Sequence, residues 1–412
     1  MSEDISHFSK KQLFPTILTE RCMFIVNEVY RKSISSRTAK TFVPAALTIV
    51  AVTYGFGRYA YGLFLPEIQQ DLALSVELMG NIAGASSAGA IVATIAGASL
   101  SGKFGARLPV MLGGSAAFFG MLIIAISYTP HLLALGVILA GSSPGLAYAP
   151  LADAIALLVA SPKQSRAFAL INSGTSIGVI VSGPAALFAG GNWRFAWLVF
   201  AVTALLATVW NASALPRQSR RKENTNNRWS IKLRLPRLHI ASLLFGLSTG
   251  VYWTFVVDLL VDQGGLPGNW SRIFWITIGA SGLAGGSAGH LMTLLGLKRA
   301  IQIAQLIISV AIIIPGMFSS VFATSLLSAV TFGAAFILTS GLLGIWSIKV
   351  YEDCPSAGVS VLFLLVAFGQ LLGPILAGYV SANYSMSIAF IIAGLLSQTG
   401  IICTFSIELS DQ

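Results

Sequence analysis

From Phe42 to Ile407 the chain alternates apolar stretches of about 20 residues, the length needed to cross a ~30 Å hydrocarbon core, with short polar gaps. The pattern predicts helical spans at 42–66, 77–101, 108–128, 132–160, 166–190 and 194–214. A second series follows at 238–261, 271–295, 299–320, 322–349, 356–381 and 384–407. Between the series lies a polar, basic stretch, 215–237, of the composition expected of a cytoplasmic connection near anionic headgroups. The expectation is an all-α membrane protein with twelve transmembrane helices in two halves, 42–214 and 238–407. A short tail, 408–412, ends the chain.

Residues 1–41 are polar and of mixed charge, with no continuous apolar core of the kind that a cleaved signal peptide requires. Phe14, Ile17, Leu18, Ile25 and Val29 are spaced to form the apolar stripe of a helix lying on the inner membrane surface, the alternative being a mobile tail.

Landmarks recur at a steady interval. Tyr54-Gly55 returns as Phe245-Gly246 and Tyr61 as Tyr252, both 191 residues on. Gly105 matches Gly296 at the same shift, and Gly183-Pro184 matches Gly373-Pro374 at a shift of 190. Two copies of one six-helix unit are implied, an organisation found in secondary transporters whose halves are related by an axis along the membrane normal.

Composition agrees with the pattern: 55% of residues are hydrophobic and 10% charged, with a mean hydropathy of +0.80. A net charge of +10 would suggest nucleic acid in a soluble protein, but its placement points to membrane topology. Of 25 basic residues, seven precede the first span and fifteen sit at alternate turns. Only Arg194 and Arg272 fall at the other turns, and Arg58 lies within a span. By the positive-inside rule both termini are expected in the cytoplasm. Glu67, Asp71, Glu77, Asp258 and Asp262 then fall outside, where Asp258 and Asp262 are expected to be solvated.

Arg58 is the leading functional candidate. A cation at that depth is expensive, from roughly 2.5 to over 10 kcal/mol, and such residues normally face a water-filled cavity, a partner or a bound anion. On an α-helix Tyr54, Gly55, Arg58, Tyr61 and Gly62 share one side. The alternative is a structural arginine satisfied by helix carbonyls or a carboxylate. Asp153 is the carboxylate well inside a span of the first half, and desolvation would suit it to carry a proton. Its place towards the cytoplasmic end also fits a solvated gate.

The turn between the second and third spans reads Ala98-Ser-Leu-Ser-Gly-Lys-Phe-Gly-Ala-Arg107, and its second-half copy reads Gly289-His-Leu-Met-Thr-Leu-Leu-Gly-Leu-Lys298. These resemble the G-x-L-A-D-R-x-G-R-[RK] loop of the major facilitator superfamily, and Trp193-Arg194-Phe195 resembles that family's W-R-x-x-F turn. The matching gate-loop positions are Lys103, Gly105 and Arg107, then Gly289, Gly296 and Lys298. Both copies lack the acidic residue, replaced by Gly102 and Thr293, which puts the family's interhalf charge latch in doubt. The Gly57-Arg-Tyr-Ala-Tyr-Gly-Leu-Phe-Leu-Pro66 run looks most like a branch of bacterial permeases described as exporters.

The resemblance implies a central cavity lined by the first, fourth, seventh and tenth spans. Tyr148, Tyr252, Trp253, Trp346 and Gln370 are candidates to line it beside Arg58, Tyr54 and Tyr61, although Tyr and Trp also anchor at membrane interfaces. Gly183, Pro184, Gly373 and Pro374 read as hinge and packing positions. His290 reads as structural.

Cys22, Cys354 and Cys403 are too scattered for a disulfide framework or metal site. No enzyme signature or phosphate loop stands out. The expectation is a plasma-membrane secondary transporter in the bacterial inner membrane, acting as a monomer by alternating access. It would handle a small organic solute, with export and an organic anion favoured, no cofactor, no nucleic-acid partner and an ion gradient as the candidate driving force. The alternatives are a proton-coupled metabolite importer and a non-transporting membrane sensor that reuses the fold.

Overall fold

The computed structural model describes residues 41–216, 236–285, 288–351 and 355–401, and every described element is helical. The N-terminal apolar stripe, most of the basic linker, the C-terminal tail and all three cysteines lie outside the described residues.

The first set of helices comprises α1 (Thr41–Leu63), a short α2 (Leu65–Leu72), α3 (Val76–Phe104), α4 (Arg107–Ala125), α5 (Pro130–Leu158), α6 (Pro162–Phe188) and α7 (Trp193–Ala214). The second comprises α8 (Arg237–Gln263), α9 (Gly268–Ala284), α10 (Ala288–Met317), α11 (Phe322–Val350), α12 (Pro355–Asn383) and α13 (Met386–Thr399). Among the described residues ten helices are long and apolar enough to cross a membrane. α9 and α13, with 17 and 14 residues, are shorter.

Polar side chains start several helices where the chain re-enters the apolar layer. Ser75, Thr129, Asn192 and Ser385 accept from backbone N–H groups in the first turns of α3, α5, α7 and α13. Gly105 (φ 80°, ψ 169°) and Gly296 (φ 75°, ψ 160°) adopt nearly the same conformation at matching turns. Positive φ of this kind favours glycine, so the sequence repeat is also a backbone repeat. Gly296 breaks α10 into two helical pieces.

We name the two ends of the bundle by Glu67 and Lys103. Between Arg58 and the Glu67 end the two sets meet backbone to backbone. Gly62 lies against the carbonyls of Trp253 and Thr254, Gly80 against Pro374, Gly84 against Ile375 and the Leu371 carbonyl, and Gly183 against Ile276 and the Arg272 carbonyl. Removing the side chain is what permits this approach. Gly373 packs on the Leu247 backbone within the second set, while Pro184 and Pro374 are accommodated inside α6 and α12.

Candidate functional site

Within α1, residues Ala51–Tyr59 wind as a π-helix, and α8 ends in a second π segment, Leu259–Gln263. Such segments are rare and frequent at functional sites. Gly55 and Gly57 let the wide turns of α1 rest on the backbones of Gly178 and Ala140. The i to i+5 winding alters the face that α-helical spacing predicts. Tyr54 now neighbours Tyr59, with ring centroids 6.2 Å apart, and Tyr59 enters the site.

Arg58 is half-buried and reaches across the seam. Its Nη2 donates to Gln370 Oε1 on α12 at 2.7 Å and to Ser87 Oγ on α3 at 3.3 Å. Ser87 in turn donates to the Gln370 carbonyl at 3.2 Å. A neutral amide and a hydroxyl therefore satisfy one guanidinium nitrogen, and no carboxylate of the described residues pairs with it. The positive charge stays available to an acceptor.

These groups border a cavity of about 40 Å³ whose lining includes Arg58, Tyr59, Tyr61, Ser87, Trp253 and Gln370. One water needs about 10–15 Å³ by this measure, so the space holds a few waters and no organic solute. Tyr59 stacks on Trp253 at 4.2 Å between centroids, closing the aromatic wall across the two sets. The Tyr61 hydroxyl and Trp253 Nε1 are buried without a hydrogen-bond partner.

The other candidates separate. Tyr54 and Tyr148 meet edge to face at 5.6 Å, and the Tyr148 hydroxyl donates to Asn172 Oδ1 at 3.0 Å, outside the cavity lining. Tyr252 is core: it is fully buried, stacks on Phe332 at 3.6 Å and bonds Ser328 at 2.8 Å. Trp346 is also buried and does not line the cavity. Neither residue borders the cavity beside Arg58.

Asp153 is exposed near the Lys103 end and accepts from Ser101 Oγ at 2.6 Å. Lys103 is exposed and Arg107 half-exposed beside the Gly105 turn. Gly289 and Lys298 flank the Gly296 break in α10. The His290 side chain lies outside the described residues.

Asp258 reverses its expectation. It is 4% exposed, because α2 folds over the end of α8. With the Gln69 amide oriented to suit its neighbours, its nitrogen donates to Asp258 Oδ1 at 2.9 Å and Asp262 Oδ2 at 3.0 Å. Asp262 itself is exposed. Nearby, Arg272 is buried, donates to Asn269 Oδ1 at 2.7 Å and lies 3.8 Å from Glu67. Burial pushes the Glu67 carboxyl above its usual range, opposed by its backbone hydrogen bond and by Arg272, with Asp262 adding to the rise. Arg194 pairs with Asp71, donates twice to the Ser127 carbonyl and lies over the rings of Tyr128 and Trp193. The Trp193-Arg194 turn thus ties α7 to α2 and to the α4–α5 connection.

The sequence model of the Major Facilitator Superfamily matches residues 47–353. The chain belongs to that superfamily. Among curated superfamily relatives, it is 29% identical over 255 residues to a chloramphenicol resistance protein of Streptomyces lividans, covering 59% of this chain and 64% of that protein. It is 26% identical to the Transcription regulatory protein OpdE of Pseudomonas aeruginosa, covering 92% and 97% of the two chains. The purine ribonucleoside efflux pump NepI of Salmonella enteritidis is 19% identical over 81% of this chain and 85% of its own. Among solved structures, the nucleoside transporter NupG (D323A mutant) superposes with a TM-score of 0.73 at 14% identity, covering 90% of this chain and 100% of that one. A bacterial homologue of the human lysosomal transporter Spinster gives 0.71 at 13%, covering 90% and 97%. The fold is thus that of superfamily transporters, and the protein is a multi-pass membrane protein of that kind.

Proposed function

We propose that this chain exports a small polar organic solute by alternating access, with Arg58 as the anchor for an acceptor group on the cargo. The carrying observation is the Arg58 guanidinium, held by the neutral groups Gln370 and Ser87 from both sets of helices at the cavity. An anion or a strongly polarised oxygen can replace Gln370 on that nitrogen and gain a charge-assisted bond. The unpartnered Tyr61 hydroxyl and Trp253 Nε1 offer further donors. The Tyr59–Trp253 stack is an aromatic wall that a planar solute suits; the names of the relatives, chloramphenicol resistance and purine ribonucleoside efflux, support that choice.

The distribution of basic residues supports an orientation in a bacterial inner membrane with the Glu67 end outside and the Lys103 end in the cytoplasm. The glycine seam then seals the outer side. Towards the other end Gly341 on α11 is exposed and nothing lies within 4 Å of the Cβ position of Gly344, consistent with a cytoplasm-facing state. Cargo enters once the halves move apart enough to enlarge the cavity.

The test is counterflow in proteoliposomes with chloramphenicol, a purine ribonucleoside and benzoate, followed by accumulation in everted vesicles under an imposed pH gradient. Exchange that depends on Arg58 supports the reading, and accumulation inside everted vesicles assigns export. Wild-type exchange by Arg58→Ala would remove the basis for the anchor.

A second reading has one observation in its favour: a relative matched over 97% of its length is called a transcription regulatory protein. A membrane sensor built on this fold predicts solute-dependent thermal stabilisation without flux.

A further inference from the structure

The polar cluster at the Glu67 end stands apart from the Arg58, Ser87 and Gln370 contacts. Asp258 is buried on the second set, and both it and Asp262 accept from one amide nitrogen, that of Gln69 on the first set. Two carboxylates within reach of one nitrogen lie close to each other. Among the described residues no lysine, arginine or histidine comes within 4 Å of either. Arg272, the nearest cation named at this end, is directed at Glu67 and Asn269. Glu67 adds further negative charge beside Asp262. The remaining titratable group facing Asp258 is Tyr61, whose buried hydroxyl lacks a partner.

Two like charges side by side, one of them buried and both served by one neutral amide, resist being ionised together. We infer that Asp258 and Asp262 form a proton-binding site, completed by Gln69, at the closed Glu67 end of the transporter. The proton comes from the solution bathing the exposed Asp262 and resides on one carboxyl oxygen of the pair. The other carboxylate and the buried, unpartnered Tyr61 hydroxyl lie nearby.

Because Gln69 belongs to one set and both aspartates to the other, parting the halves at this end dismantles the site. The aspartates then meet water, and the proton leaves to that side. Proton occupancy and closure of this end are therefore linked, whichever solute is carried. This inference deepens the proposed transport function by giving it an ion site, and it moves that site from Asp153 to the opposite end of the bundle.

Infrared difference spectroscopy on the full chain in lipid vesicles, titrated with protons alone, tests it. A Glu67→Gln background removes the other buried carboxyl of the cluster. Expected is a protonated-carboxyl C=O band that persists at neutral pH, shifts in deuterated buffer and is lost in alkaline buffer. Asp258→Asn abolishes the band, Asp262→Asn moves its midpoint to lower pH, and Asp153→Asn leaves it in place. A band that survives Asp258→Asn, one that disappears with Asp153→Asn, or no band at neutral pH overturns the inference. The measurement needs no solute, so a chain that shows the band yet moves nothing in counterflow refutes the transport reading and supports the proton site.

Discussion

Arg58 and Gln370, 312 residues apart in sequence, meet at 2.7 Å across the seam between the two sets of helices. The contact ties the guanidinium at the cavity to the seam between the two sets. An acceptor group that takes Gln370's place removes one interhalf bond while it binds.

Replacing Arg58 by alanine removes a charge-assisted bond worth about 1.5–3 kcal/mol, so solute exchange should fall at least about tenfold. Lysine should rescue it only in part, since an ammonium cannot reproduce the planar fork. Counterflow rates in proteoliposomes check both.

A side chain at Gly62 would strike the carbonyls of Trp253 and Thr254. Overpacking of this kind costs about 1–3 kcal/mol, enough to shift an open–closed balance by roughly fivefold to a hundredfold. Gly62→Val should therefore expose the cavity from the Glu67 side. The readout is labelling of a Ser86→Cys reporter by an impermeant thiol reagent, with Cys22, Cys354 and Cys403 replaced by serine.

Glu67 sets a pH dependence of defined sign. Its carboxyl is raised above 4.5, chiefly by burial, so the closed form holds this proton more tightly than a solvated form does. The closed end is then most stable at acid pH and loses stability as pH rises from 4.5 through the raised value. Thermal unfolding against pH should show this decline, and Glu67→Gln should flatten it.

The Tyr59–Trp253 stack joins the two sets and should contribute about 0.5–1.5 kcal/mol to closure. A double-mutant cycle to alanine, read by the same thiol labelling, should give coupling of that size. Zero coupling would leave the rings as neighbours only.

Tyr252→Phe separates core from site. It removes the bond to Ser328 and should lower unfolding stability by about 0.5–1.5 kcal/mol while leaving solute affinity unchanged. A ligand-titrated melting curve reports both quantities at once.

Much of this arrangement can be read directly along the chain. Apolar stretches mark the membrane class, the paired Gly105 and Gly296 mark a repeated turn, and the lone Arg58 marks a residue that bridges the two sets at a cavity. What escapes a linear reading depends on winding and on tertiary cover. α-Helical spacing groups Tyr54 with Arg58, whereas the π segment brings Tyr59 to the cavity. The repeat equates Tyr61 with Tyr252, yet one borders the cavity and the other bonds Ser328 in the core. Asp258 reads as solvated until α2 folds over it and Gln69 reaches its carboxylate. Asp153, though within an apolar stretch, emerges beside Ser101 at an exposed face.

The contacts of Gly62 and Gly80 with opposing carbonyls carry a consequence for the cell's energy supply. A barrier of main chain cannot be left ajar by the rotation of a single side chain; whole rigid bodies must separate before even a hydronium ion slips through. A carrier built this way can sit idle in an energised membrane without short-circuiting the gradient on which the rest of the cell depends.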